Sequence, residues 1–167
     1  NSTATYKFIF SHHVLGTGRG GIEQAGLYEW GGKDKRGISE FEQRRPGWPL
    51  PLHQLFVKNN VTVFFQGHDH VFAHQELDGV IYQTVPEPAD PNYALYFAEA
   101  YRSGRLLPNS GHVRVHVSPE KVRVEYVRSY LPQHTTTEHP DGEIAYSYEI
   151  PARSPSNQLR KSTLKQP

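Results

Sequence analysis

Cysteine is absent from the chain, which excludes disulfides, thiolate metal sites and cysteine nucleophiles and leaves the redox compartment open. Methionine is absent too, even at position 1, where Asn1 stands. A translation product starts with methionine, so the sequence reads as a processed or excised piece, short of a signal peptide or of a whole half-domain. No apolar run reaches the ~18 residues of a membrane-spanning helix. One-sided charge is missing as well: the net charge is +1 over 167 residues, which offers no broad basic field to nucleic acid. Apolar residues are scarce, at 36%, which is low for a self-sufficient globular chain. What is plentiful is Gly 14 and Pro 13, a balance that favours strands, turns and long loops over a helical bundle. The length is that of about one domain.

Tyr6 to Phe10 is a short aromatic and apolar run that predicts a buried strand, and His12-His13 follows it directly. Gly16 to Trp48 has no steady period and reads as a long loop, kept ordered by Trp30 and Trp48. Pro49-Leu50-Pro51-Leu52 opens a short helix with Leu52, Leu55 and Phe56 on one face and Asn59-Asn60 as its stop. Val61 to Phe65 is near-continuously apolar, the pattern of a strand covered on both faces, and Gly67-His68-Asp69-His70 follows at once. A hairpin is expected next, Phe72 to Leu77 and Val80 to Val85 around Asp78-Gly79. Pro86 to Pro108 reads as a second long loop. Alternating strands follow at His112 to Val117 and Val122 to Val127, with a weaker one around Ile144, Tyr146 and Tyr148. From Pro151 onward the sequence is polar, Pro/Ser/Lys-rich and predicted to be a disordered tail.

The chemistry concentrates at strand ends. In Gly67-His68-Asp69-His70, a turn just past a buried strand can fan two imidazoles toward adjacent metals, and Gly67 would let the backbone bend. Imidazole nitrogen suits Zn, Fe, Mn or Ni rather than Ca. His12 also ends a strand, and α/β sites form in crevices at such carboxyl ends. Gly16-Thr17-Gly18-Arg19-Gly20-Gly21 matches G-x-G-x-x-G, but no convincing helix follows, so a dinucleotide site is set aside. Arg19 in that stretch could reach a substrate phosphate from a lip beside His12. His53, His74, His112, His116, His134 and His139 are read as structural or solvated, as are Arg114, Arg123 and Arg128.

Phe8-Ile9-Phe10-Ser11-His12-His13 and Phe64-Phe65-Gln66-Gly67-His68-Asp69-His70 resemble the last two sequence blocks of calcineurin-like metallophosphoesterases, the superfamily that includes purple acid phosphatases. Asp78 to Pro86 is similar to the hairpin that follows Gly-His-x-His in that family. The similarity spans about residues 6 to 127. It implies an α/β fold, namely the C-terminal half of a four-layer α/β/β/α sandwich over residues 1–150, with 151–167 as tail. It also implies a centre of two divalent or trivalent metal ions, with His12 and His68 on the second ion and His70 on the first. Asp69, between the two histidines, would orient a neighbour without touching metal. Val14 stands where the family often has Pro, which leaves His13 as an alternative to His12.

The family's earlier blocks, Asp-x-His, Gly-Asp and Gly-Asn-His, do not occur in these residues. Three neutral imidazoles do not hold two divalent ions about 4 Å apart, because nothing anionic offsets their repulsion. The expectation is therefore a phosphate ester hydrolase whose missing ligands, and whose acid/base group, sit on a second polypeptide carrying the N-terminal half. The resemblance implies a secreted or periplasmic place for it. The rivals are a non-catalytic remnant that binds a ligand or partner, and a hydrolase with a single metal.

Overall fold

β1 (Phe8–Ser11), β2 (Val63–Gln66) and β4 (Val80–Thr84) run parallel in the order β1-β2-β4. β3 (Phe72–Leu77) and β5 (Arg105–Leu107) extend that sheet antiparallel, giving β1-β2-β4-β3-β5. A second sheet is the antiparallel meander β6 (Gly111–Val117), β7 (Lys121–Arg128), β8 (Ile144–Pro151). The computed structural model describes residues 2–12 and 18–152, and over them the chain is α/β, with a helical layer, then the mixed sheet, then the meander.

The apolar runs are continuous because the first sheet is covered on both faces. Phe64, Val80 and Tyr82 point into a cluster with Ala25, Trp30 and Phe56 on the helical side. Their chain neighbours Val63, Phe65 and Ile81 point the other way, onto Val113, Tyr148 and Ile150 of the meander. Three flat contacts and bonds tie the sheets together. Phe72 stacks on Tyr126 at 4.7 Å, His74 stacks on Tyr148 at 3.8 Å, and the Tyr148 hydroxyl donates to Gln83 Oε1 at 3.0 Å.

Several local readings hold. The helix forms at Leu52–Lys58 with Pro51 just before it and Phe56 buried. Asp78 and Gly79 take φ of 51° and 78°, the doubly left-handed pair that a two-residue hairpin demands. Others need correction. β1 is half-buried rather than buried, with Phe10 74% exposed although its ring stacks on Phe65. The stretch read as a loop contains helical turns at Ile22–Gln24, Tyr28–Gly31 and Phe41–Arg44, and it carries Trp30 into the core against Phe56 and Phe64. Glycines at 26, 31 and 32 interrupt any longer period there. The second loop contains β5, three residues long. Pro151, expected to open the tail, instead pairs with Lys121 as the end of β8; residues 153–167 lie outside the described residues. Arg128 is not solvated: it is buried and donates to the carbonyls of Asn109 and Ser110. No helix among the described residues is long and apolar enough to cross a membrane.

Candidate metal centre

Parallel pairing brings two strand ends level. Ser11 lies opposite Gln66, so the chain leaves both strands side by side, and the Gly67 N–H donates to the His12 carbonyl at 2.7 Å. One residue further on, the His12 and His68 rings meet edge to face with centroids 5.5 Å apart. A Cβ at Gly67 would sit 3.4 Å from the His12 carbonyl oxygen and 3.8 Å from His12 Nδ1, in ordinary van der Waals contact. The bend is not made by Gly67, as its flexibility suggested. His68 and His70 take it, with φ of 75° and 48°, a left-handed backbone costing about 1–2 kcal/mol for each non-glycine residue.

Asp69 holds that bend in place. Its carboxylate is buried and accepts from the Gly20 N–H at 2.7 Å, the Tyr101 hydroxyl at 2.8 Å and Arg19 Nη1 at 3.0 Å. Burial, and then the charge of Asp69, push the Tyr101 phenol far above its ordinary range, so it stays a donor. Arg19 Nη1 also donates to the His68 carbonyl at 3.0 Å, and its guanidinium lies 3.4 Å from the Phe97 ring centroid. Arg19 is therefore a clasp on the histidine turn. Gln66 completes the stitching by donating to the Gly20 carbonyl at 2.9 Å.

His70 is exposed, and its Nδ1 lies 3.0 Å from Glu87 Oε2. Buried Asp90 is close enough for His70 to act on its charge: burial raises the Asp90 carboxyl, but the N–H groups of Asn92 and Ala94, the Asn109 amide and His70 outweigh it, and the net shift is downward. Asn109 Nδ2 donates to the His70 carbonyl at 2.7 Å. The structure thus brings His12 and His68 together and places His70 on Glu87. Among the described residues no three His, Asp or Glu side chains converge as a metal cage. His12 and His68 are neighbouring imidazoles that could each offer a ring nitrogen to an ion; among the described residues no third ligand converges with them. His13 lies outside the described residues.

A groove of about 460 Å³ runs from His12 between the two sheets, lined by Phe10, Phe65, Val85, Val113 and Val115. Beyond the site, His53 is buried, its ring nitrogens 2.9 Å from the Tyr82 hydroxyl and 3.1 Å from Asp78. His116, Arg114 and Arg123 ring the buried carboxylate of Glu125. Sequence reasoning missed Glu87, Asn109 and Tyr101, which sit in the long loop or just after it with no local pattern to mark them.

No family model matches the chain, and no curated protein matches it. Among solved structures, one similar chain is GAP50, the anchor in the inner membrane complex of Plasmodium, at 14% identity and a TM-score of 0.45, covering 70% of this chain and 35% of that one. Another is a conserved protein of Streptococcus pneumoniae TIGR4 described as a predicted phosphoesterase, at 13% identity and a TM-score of 0.35, covering 60% of this chain and 46% of that one. The chain spans less than half the length of either.

Proposed function

We propose that this chain supplies the histidine side of a metal-dependent phosphoesterase centre, with the anionic ligands contributed by a second polypeptide segment. The observation that carries the reading is the His12–His68 ring pair at two adjacent parallel strand ends. His12 and His68 would hold one ion and His70 would serve a second. When bound, such ions lower the pKa of a water toward ~7 and offset charge on the ester's oxygens. The chain's own residues do the holding: Asp69, Arg19 and Tyr101 keep the histidine turn in its left-handed shape before any ion arrives.

Two sheet edges support a docking place for the second segment. β1 and β6 are edge strands, and both contribute walls to the groove beside His12. Phe10, Val115 and Val117 stand 74%, 37% and 57% exposed along that side. Apolar residues on an open edge are a template for further pairing. A segment docked there would reach the histidines with its carboxylates.

The test is metal titration calorimetry on the chain with Zn²⁺ and Mn²⁺, comparing the parent with His12→Ala and His68→Ala. Each variant should lose at least tenfold in affinity, on the order seen when a coordination shell is disturbed, and added metal should support turnover of a phosphate ester once the complementary segment is supplied. Binding that is unchanged in both variants would refute the reading, and a chain that binds no metal even with the complementary segment present would leave the non-catalytic remnant in its place.

A further inference from the structure

We infer that β6 is the edge onto which the second segment adds as a β-strand, and that this strand alternates acidic with apolar side chains; this rests on the reading of a second segment docked beside His12. Four strands end the two sheets among the described residues, and three of them are poor templates. β1 has four residues and β5 has three. β8 has eight, but its pairing with β7 shifts register between Tyr126 and Val127, and it ends at Pro151. Shortness, bulges and proline all blunt an edge. β6 has none of them. It runs seven residues without proline and pairs with β7 in unbroken register from Gly111↔Arg128 to Val117↔Val122. An inward-pointing charge would also repel an incoming strand, and the inward row of β6 is Val113, Val115 and Val117.

The two rows of β6 dictate the partner's chemistry. Side chains alternate along a strand, so the valine row faces the first sheet while His112, Arg114 and His116 stand on the meander's outer face. Val113 packs on Val63, Phe65 and Ile81, and with Val115 it walls the groove beside His12. Apolar residues of an added strand would close that groove from the open side. On the outer face, Arg114 Nε donates to the buried Glu125 Oε2 at 2.7 Å, and His116 Nε2 lies 3.2 Å from the same oxygen. Arg123 Nε lies 2.8 Å from Glu125 Oε1. Two guanidiniums against one carboxylate leave one positive charge over, and Arg114 and His116 are exposed. Opposite charges directly across a strand pair attract and like charges repel. A second copy of this chain is therefore the wrong occupant. Paired in register, its basic row would face the same basic row; slipped by one residue, its valines would face the charged row instead. An acidic row answers the outer face and an apolar row the inner one, in either strand direction, because the side-chain period is two.

The test uses synthetic peptides of about nine residues, long enough to span β6. One alternates Val with Glu, a second carries Lys in place of Glu, and a third is an isomer of the first with its Glu residues all preceding its Val residues. Each is titrated into the metal-free chain at low salt and followed by backbone ¹H–¹⁵N shifts and amide hydrogen exchange. The Val/Glu peptide should shift and protect the amides of β6. It should bind about three- to tenfold more tightly than the Val/Lys peptide, with a margin that shrinks as salt rises and in Arg114→Gln. Equal affinity for the two alternating peptides, equal affinity for the blocked isomer, protection at β1 or β8 instead of β6, or no binding overturns the inference. So does a chain that sediments as a dimer with its β6 amides protected. Neither metal nor ester enters this assay. A chain that captures the Val/Glu peptide on β6 yet binds no metal with the complementary segment present loses the metal-centre reading and keeps the edge; the reverse result removes the edge and leaves the centre.

Discussion

Removing the Asp69 carboxylate should loosen the whole histidine turn, and the structure sets the size of the effect. The group is 2% exposed and accepts three hydrogen bonds. Bonds to a charged group contribute about 1.5–3 kcal/mol each, which gives roughly 3–6 kcal/mol for the two from Gly20 and Tyr101. The Arg19 partner is 36% exposed at its side chain, so its share is discounted for solvent screening to at most ~1 kcal/mol. Tyr101 keeps a second partner in Thr84 Oγ1 at 3.0 Å, which softens the loss on that side. Asp69→Ala should therefore cost about 3–4 kcal/mol, lowering Tm by on the order of 10 °C for a chain this long. Asp69→Asn, which keeps one acceptor, should cost about half as much, and Tyr101→Phe, which removes one of three bonds, about 1–2 kcal/mol. The assay is urea denaturation followed by tryptophan fluorescence, since Trp30 is buried and reports the core directly. An Asp69→Ala chain within 1 kcal/mol of the parent, or no less stable than Tyr101→Phe, would refute the clasp.

Trp30 is 1% exposed against Phe56, Phe64 and Tyr82, so Trp30→Ala should cost about 3–5 kcal/mol in urea denaturation followed by far-UV circular dichroism, which does not depend on the removed ring. His74 carries a pH dependence whose sign is determinate. Burial lowers its pKa, opposed by the charge of Glu76, so below the ordinary imidazole value of ~6.5 the unfolded chain binds more protons than the folded one. Stability is therefore full above that value and falls as pH drops from it toward the lower folded pKa. Urea midpoints measured through that window should decline less in His74→Gln than in the parent; equal slopes would remove His74 as the cause. Phe10→Asp alters a ring that is 74% exposed. It should leave the urea midpoint nearly unchanged while abolishing co-elution of the chain with the segment proposed to cover the groove.

The parts of this fold legible in the sequence are those decided by near neighbours. Asp78-Gly79 specifies its hairpin through backbone preference alone, and the Val61 to Phe65 run specifies a strand with two covered faces, because alternate residues serve different clusters. Trp30 escaped because its partners Phe56, Phe64 and Tyr82 are far away in sequence, and four-residue helical turns broken by glycine leave no period to detect. The same limit hid Glu87 and Asn109, whose roles exist only once β3, β4 and the loop beyond them have assembled around His70. The departure at Gly67 has a different character. Local chemistry assigns the bend to glycine, yet His68 and His70 carry the positive φ values and Gly67 does not. Two left-handed histidines cost roughly 2–4 kcal/mol, comparable to the ~3–4 kcal/mol assigned above to the Asp69 clasp. That balance makes the turn a place where a local rule is broken and compensated from a distance, which is where function is expected to sit. Turned back past the strand end, His68 meets His12 across the level ends of β1 and β2, and a glycine-made bend that left both histidines in extended conformations would forgo that meeting.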